Sequence, residues 1–262
     1  MESQRQLAVV TGASSGIGFE LARQFARNGF DVVMCAETDA LTDAAAAVTG
    51  EAGAATVTVQ ADLATFEGVE QLVSEVEALG RPVDAAALNA GVGNGGRFVE
   101  IPLADEMRLI ALNVASTVHL AKRLVPAMVQ RGEGRLLFTS SIAATMPGPY
   151  YATYAASKSF VQSFAEALRH ELEDTGVTVT ALMPGPTDTD FFERGGMQDT
   201  PVDSMHKDDP ADVAEDGFKA LMKGQDHVVA GSIRNKVQAA GSGMLPDKAK
   251  AAMHAGMTKP QN

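Results

Sequence analysis

Leu7-Ala8-Val9-Val10 runs directly into Thr11-Gly12-Ala13-Ser14-Ser15-Gly16-Ile17-Gly18, after which apolar residues recur at helical spacing through Phe19, Leu21, Ala22 and Phe25. A short apolar run followed by a 3.6-residue period reads as strand, glycine turn, helix. Glycines permit a tight turn and close backbone approach, and the free amides of a helix start supply donors and positive dipole, so the turn suits a pyrophosphate. Gly12, Ser14, Ser15, Gly16, Ile17 and Gly18 are therefore candidate dinucleotide-binding residues. The spacing Gly-x-x-x-Gly-x-Gly departs from the commoner Gly-x-Gly-x-x-Gly. The flanking strand and helix separate it from a bare turn.

Outward from that turn the chain alternates apolar runs with helical patterns. Val32 to Ala36 is a continuous apolar run, as in a parallel strand covered on both faces, and Glu37 follows it. An acid about twenty residues beyond the glycine turn can hold a ribose 2′-hydroxyl and would repel a 2′-phosphate, which tilts the cofactor toward NAD. Glu37 also reads, with Asp39, as a solvated loop acid. A helix from Asp39 to Val48 and a strand from Thr56 to Val59 lead to Asp62-Leu63, where Asp62 can cap a helix or hold an adenine. Phe66 to Leu79 is a packing helix, and Val83 to Leu88 is a strand closed by Asn89-Ala90-Gly91. Gly93 to Gly96 is expected to be mobile.

The spacing predicts a helix over 104–131, with Asn113 inside it for tertiary reasons or in solvent. Arg135 to Thr139 is a strand that delivers Ser140-Ser141 to a carboxyl end, where open α/β sheets place ligands. A helix over 150–174, a strand over Val177 to Leu182 and the turn Met183-Pro184-Gly185 follow. An acidic stretch over about 187–209 reads as a lid or substrate wall. Pro210 to Lys223 is helical, His227 to Ala230 is a strand, and a tail from about 241 to 262 with Met244, Met253 and Met257 either covers the pocket or a neighbouring subunit, or frays. With no repeat or linker, residues 1–262 read as one α/β domain.

Composition bounds the function. A formal charge of -12 disfavours nucleic acid, anionic membrane and acidic partners. The single cysteine, Cys35, sits in an apolar run and reads as a buried small hydrophobe suited to a reducing compartment. Neither an apolar signal region nor a membrane-length apolar run is present, so a cytoplasmic location is expected. The five histidines show no metal-ligand spacing, so no metal is expected. His206 lies in the acidic stretch, where it either touches substrate or is solvated.

Tyr154-Ala-Ala-Ser-Lys158 carries the chemistry. Four residues apart on a helix, the two side chains share a face, and an ammonium favours the phenolate, so Lys158 is expected to lower the Tyr154 pKa. Tyr150 and Tyr151 have no lysine four residues on and read as pocket wall.

In that order, Thr11-Gly-x-x-x-Gly-x-Gly18, Asp62, Asn89-Ala-Gly91, Asn113, Ser141, Tyr154-x-x-x-Lys158 and Pro184-Gly185 resemble a single-domain short-chain dehydrogenase/reductase, over roughly Leu7 to Ala230. The resemblance implies a Rossmann-like doubly wound sheet of seven parallel strands with helices on both faces, and a nicotinamide cofactor, NAD or NADP. It implies a catalytic tetrad of Asn113, Ser141, Tyr154 and Lys158. Further cofactor contacts fall at Leu63, Pro184, Gly185, Thr187 and Thr189, with Thr189 on the nicotinamide carboxamide, and substrate contacts at Ser141, Ala143, Tyr151 and Gly185. A homodimer or homotetramer built through the helices at 104–131 and 150–174 is also implied. This chain departs from the family at Ala36, where NAD users carry an acid, at Glu37, where NADP users often carry arginine, and at Ser15, which replaces a basic residue of some NADP users.

The expected reaction is hydride transfer between a nicotinamide and a small ketone or secondary alcohol. Tyr154 acts as general acid or base, Ser141 holds the carbonyl oxygen and Asn113 holds a relay water. Reduction of 3-oxoacyl groups on a carrier protein is an alternative, disfavoured because that acidic carrier would meet Asp188, Asp190, Glu193, Asp199, Asp203, Asp208 and Asp209. A non-catalytic NAD(P)-binding regulator is a third reading, which does not require the tetrad.

Overall fold

The computed structural model describes residues 5–198, 200–232 and 246–260. Seven strands, β1 (Gln6–Thr11), β2 (Phe30–Ala36), β3 (Thr56–Gln60), β4 (Ala85–Leu88), β5 (Gly134–Thr139), β6 (Val177–Met183) and β7 (His227–Val229), form one sheet in the order β3-β2-β1-β4-β5-β6-β7. Every pair is parallel. The order reverses between β1 and β4, opening a crevice at their carboxyl ends where the glycine turn and Asn89 emerge.

Alternate residues along each strand feed opposite faces, as a pleated backbone requires. Val9, Val33 and Leu136 pack into one layer, with α3 (Phe66–Ala78), α5 (Ser116–Arg131) and α6 (Ala152–Glu171). Val10, Met34 and Leu137 pack into the other, with α1 (Gly16–Arg27), α2 (Ala40–Ala52) and α8 (Pro210–Met222). There Phe25 meets Phe30 and Phe218 edge-on, each ring centroid 5.2 Å away. Cys35 is fully buried, and burial pushes its thiol up to about 12, so it behaves as a hydrophobe.

Several elements differ from the expected ones for identifiable reasons. The helix expected over 104–131 is a rod made of α4 (Leu103–Ile110), a π turn at Ala111–Ala115 and α5. The wider turn carries Asn113, whose side chain reaches Val92, so the tertiary explanation for that asparagine holds. The helix expected from Tyr150 begins at Ala152, because Tyr150 has φ 62°, a left-handed conformation a helix cannot accept. Asp62 does not cap α3; Thr65 does, accepting the Gly68 amide at 3.0 Å. Gly93 to Gly96 is bonded at two points, Gly95 to the Gly195 carbonyl and Gly96 to that of Tyr150. The acidic stretch contains the short helix α7 (Phe191–Arg194) and is pinned by a parallel bridge between Thr187 and Asp208. A last helix, α9 (Asp247–Thr258), lies in the tail, whereas Asp199 and Met244 fall outside the described residues.

Candidate active site

A single cleft runs along the carboxyl ends of the strands, from the glycine turn past Glu37, Asp62-Leu63 and Asn89–Gly91 to Ser141, Tyr154 and Lys158. Pro184, Gly185, Thr187 and Thr189 also line it, as do Ala143 and Tyr151. The sequence-predicted cofactor and substrate positions are therefore brought together, with Asn113 just behind the wall.

At the glycine turn, a methyl group on Gly18 would collide with the Gly12 carbonyl, and Gly12 and Gly16 adopt φ of +66° and +55°. The backbone here takes a path that side chains would block. Ser15 precedes α1 without capping it, so the first-turn amides face the cleft uncapped. This cradle fits the pyrophosphate of a dinucleotide. Asn89 fixes the adjoining wall: its amide NH2 donates to the Thr11 carbonyl, its Oδ1 accepts from Thr139, and the Asn89 and Ala90 amides donate to the Thr11 hydroxyl.

At the adenosine side, the expected ribose ligand Glu37 is paired with Arg108, at 2.8 Å, and Arg108 also binds Asp62 at 2.9 Å. The guanidinium holds the Asp62 carboxyl below its usual range. Arg108 was not evident in the sequence, being 71 and 46 residues from these partners. Its only signal is a cation in an acidic chain.

At the other end, Tyr154 and Lys158 share the inward face of α6, both buried. The Lys158 ammonium lies 5.9 Å from the Tyr154 ring centroid and donates to the Thr139 carbonyl at 2.9 Å. The Ser140 hydroxyl donates to the Lys158 carbonyl at 3.0 Å, fixing the helix against β5. Ser141 opens a 3-10 turn at Ile142–Thr145, its hydroxyl accepting the Ala143 amide at 3.1 Å.

Burial dominates the ionisation of this group. Burial pushes Tyr154 up to about 12, with the Ser141 hydroxyl pulling the other way, and pushes Lys158 down to about 8. Desolvation is the largest cause of both shifts, so the phenol is held protonated. The Asn113 side chain is held by protein groups. Its Oδ1 accepts the Val92 amide, and its NH2 donates to the Val92 carbonyl at 2.9 Å and to Ser157 at 3.0 Å. Ser157 in turn donates to the Tyr154 carbonyl, so Asn113 ties the π turn to α6.

The end of the cleft beside Tyr154 is apolar. Ile142, Met146, Phe191, Phe192, Val202 and Met257 surround Tyr154 and Tyr151. Helix α9 closes it, with His254 Nδ1 2.9 Å from the Pro147 carbonyl, Thr258 donating to the Pro149 carbonyl and the Met257 carbonyl accepting the Val202 amide. The tail thus covers the pocket of its own chain, one of the roles open to it from sequence. Of the acids in the 187–209 stretch, Asp203 pairs with Lys207, Asp209 caps α8 and Asp208 accepts the Ser232 amide. His206 does not line the cleft.

Comparison with known proteins gives this arrangement a family. Residues 6–199 match the short chain dehydrogenase family. A 1-deoxy-11-beta-hydroxypentalenate dehydrogenase of Streptomyces exfoliatus is 39% identical over 212 residues, covering 77% of this chain and 76% of that protein. A probable oxidoreductase of Mycobacterium tuberculosis is 35% identical over 193 residues, 73% of this chain but 32% of that longer protein. A short-chain dehydrogenase from Sphingobium yanoikuyae, solved in complex with NADPH, superposes with a TM-score of 0.82 at 26% identity, covering 98% of both chains. The chain belongs to the short-chain dehydrogenase/reductase family and is an NAD(P)-dependent oxidoreductase. No helix among the described residues is long and apolar enough to cross a membrane.

Proposed function

We propose that the chain interconverts an uncharged, largely apolar ketone and its secondary alcohol, with Tyr154 as the proton donor and acceptor. The observation that carries this is the burial of Tyr154, Lys158 and Ser141 together at the apolar end of a cleft whose other end is the glycine turn. The bound nicotinamide supplies or accepts the hydride. The Ser141 hydroxyl donates to the carbonyl oxygen and fixes its place beside Tyr154. In reduction the protonated phenol gives its proton to that oxygen. Lys158, with a pKa of about 8, is largely charged at neutral pH and stabilises the phenolate left behind. Oxidation runs the same transfers backward.

An apolar substrate is supported by the ring of Ile142, Met146, Phe192, Val202 and Met257. A preference for NAD rested on a free Glu37. Its pairing with Arg108 offsets that charge, and the solved relative complexed with NADPH points toward acceptance of NADP, so we assign the cleft to either dinucleotide. We also read the chain as a homodimer or homotetramer assembled through α4, α5 and α6, since Leu103, Met107 and Ile110 form an exposed apolar stripe along α4 and Phe160 projects from α6.

Steady-state assays with NADH and NADPH across a panel of ketones test the reading. Turnover is expected with branched or cyclic apolar ketones and not with 3-oxoacyl carrier proteins. Cofactor binding without turnover on any panel member would instead support the regulator, and a strong preference for NADPH would remove Glu37 as a ribose ligand.

A further inference from the structure

We infer that Arg194, on the short helix α7, is a ligand for a phosphate of the dinucleotide. The inference rests on the dinucleotide reading above. Its starting point is charge. The cofactor brings a doubly charged pyrophosphate, and the cleft wall adds the carboxylates of Glu37 and Asp62. Among the described residues the cleft is lined by just two side chains of the Lys/Arg type, Lys158 and Arg194. Lys158 lies at the catalytic end, spent on the Thr139 carbonyl and Tyr154. Arg194 is at the other end, its Nη2 donating to the Ser15 hydroxyl at 3.0 Å across 179 residues of sequence.

That contact is at the phosphate cradle itself. Ser15 makes no side-chain cap to α1, so the hydroxyl is available to orient Arg194 while the uncapped amides of the first turn face the same anion. A guanidinium presents a planar fork of donors, and one bond to Ser15 leaves others for phosphate oxygens. Competition is weak: the nearest carboxylate paired with Arg194, that of Asp190, is 3.9 Å away and largely exposed. The segment is already held in place by other contacts. The Thr189 side chain lies where a methyl group on Gly16 would meet it at 2.8 Å, and the Gly195 carbonyl accepts the Gly95 amide. Arg194 thus completes, from the far end of the chain, a cationic position that the glycine turn lacks locally, where Ser15 stands.

Fluorescence titration of NADH and NADPH into the full chain, at low and high salt, reads the binding directly and without turnover. Arg194→Gln is expected to weaken dinucleotide binding about tenfold to hundredfold, the usual effect of losing a hydrogen bond to a charged group. It is also expected to flatten the salt dependence, with Arg194→Lys intermediate. Arg194 is largely exposed, so thermal melts of both variants should match the parent and separate binding from folding. Equal losses for the two cofactors place Arg194 on the pyrophosphate. A loss confined to NADPH places it on the 2′-phosphate, and either supports the inference. Unchanged affinity of Arg194→Gln for both cofactors overturns it. Failure of the unmodified chain to bind either dinucleotide overturns the cofactor reading as well.

Discussion

Tyr154 and Lys158 owe their ionisation more to the apolar packing around α6 than to each other. With Lys158 at about 8 and Tyr154 at about 12, the proton that matters near neutrality is the one on the lysine. Lys158 is charged below about 8 and neutral above it, and the charged form stabilises the tyrosinate. Ketone reduction, read as kcat/KM against pH, is therefore expected to be flat at neutral pH and to fall as pH rises through about 8. The fall should vanish, at a much lower rate, in Lys158→Met. A profile flat to pH 10 in the parent enzyme contradicts this assignment. The four-residue spacing made the pairing legible in the sequence, but not the direction of the tyrosine shift, because burial is a property of the fold. Arg108 and Arg194 were illegible for a related reason: each meets its partner across a long loop of sequence, with no local pattern to mark it.

At the scale of elements, α9 is the part most open to experiment. It is bound to the loop before α6 through His254 and Thr258, and burial holds His254 below its ordinary value of 6.5. A depressed histidine contributes stability that is present above its unfolded pKa and is lost as pH falls through the folded one. Protection of the α9 amides, taken as exchange relative to the intrinsic rate at each pH, is thus expected to fall, and substrate KM to rise, as pH drops from 7 toward 5. His254→Gln should remove most of that pH dependence, and equal protection of α9 at both pH values would show that His254 does not hold it. The tail was legible only as a choice between cover and fraying, since nothing in a run of Met, Ala and Lys encodes what it packs on. The glycine turn, by contrast, was read in full, because strand, turn and helix are consecutive. A methyl at Gly18 meets the Gly12 carbonyl, so Gly18→Ala is expected to lower cofactor affinity by at least about tenfold and to destabilise β1 and α1 by about 1–3 kcal/mol, measured by titration and melting. Parent-like values of both would show that the turn yields more easily than its packing implies.

Over the whole molecule, the strand order places the two halves of the site on either side of the β1–β4 crevice, so a turn near residue 15 and a tyrosine at 154 share one cleft. Apolar runs separated by helical patterns marked the strands, and the resemblance to short-chain dehydrogenases/reductases implied their parallel, doubly wound order. The π turn in the long rod and the late start of α6 were not legible, because both follow from tertiary contacts. The exposed stripe Leu103, Met107 and Ile110 belongs to this scale too. Light scattering should give a dimeric or tetrameric mass that falls toward the monomer in Met107→Glu, and a monomeric parent chain would dismiss the proposed interface. The central claim, that Tyr154 carries the proton in a dinucleotide cleft, is tested most directly by measuring cofactor affinity and turnover together in Tyr154→Phe. The account predicts affinity for the preferred cofactor within a few-fold of the parent and turnover lower by about 10²–10⁴, the usual contribution of a positioned acid or base; turnover close to that of the parent chain would contradict it.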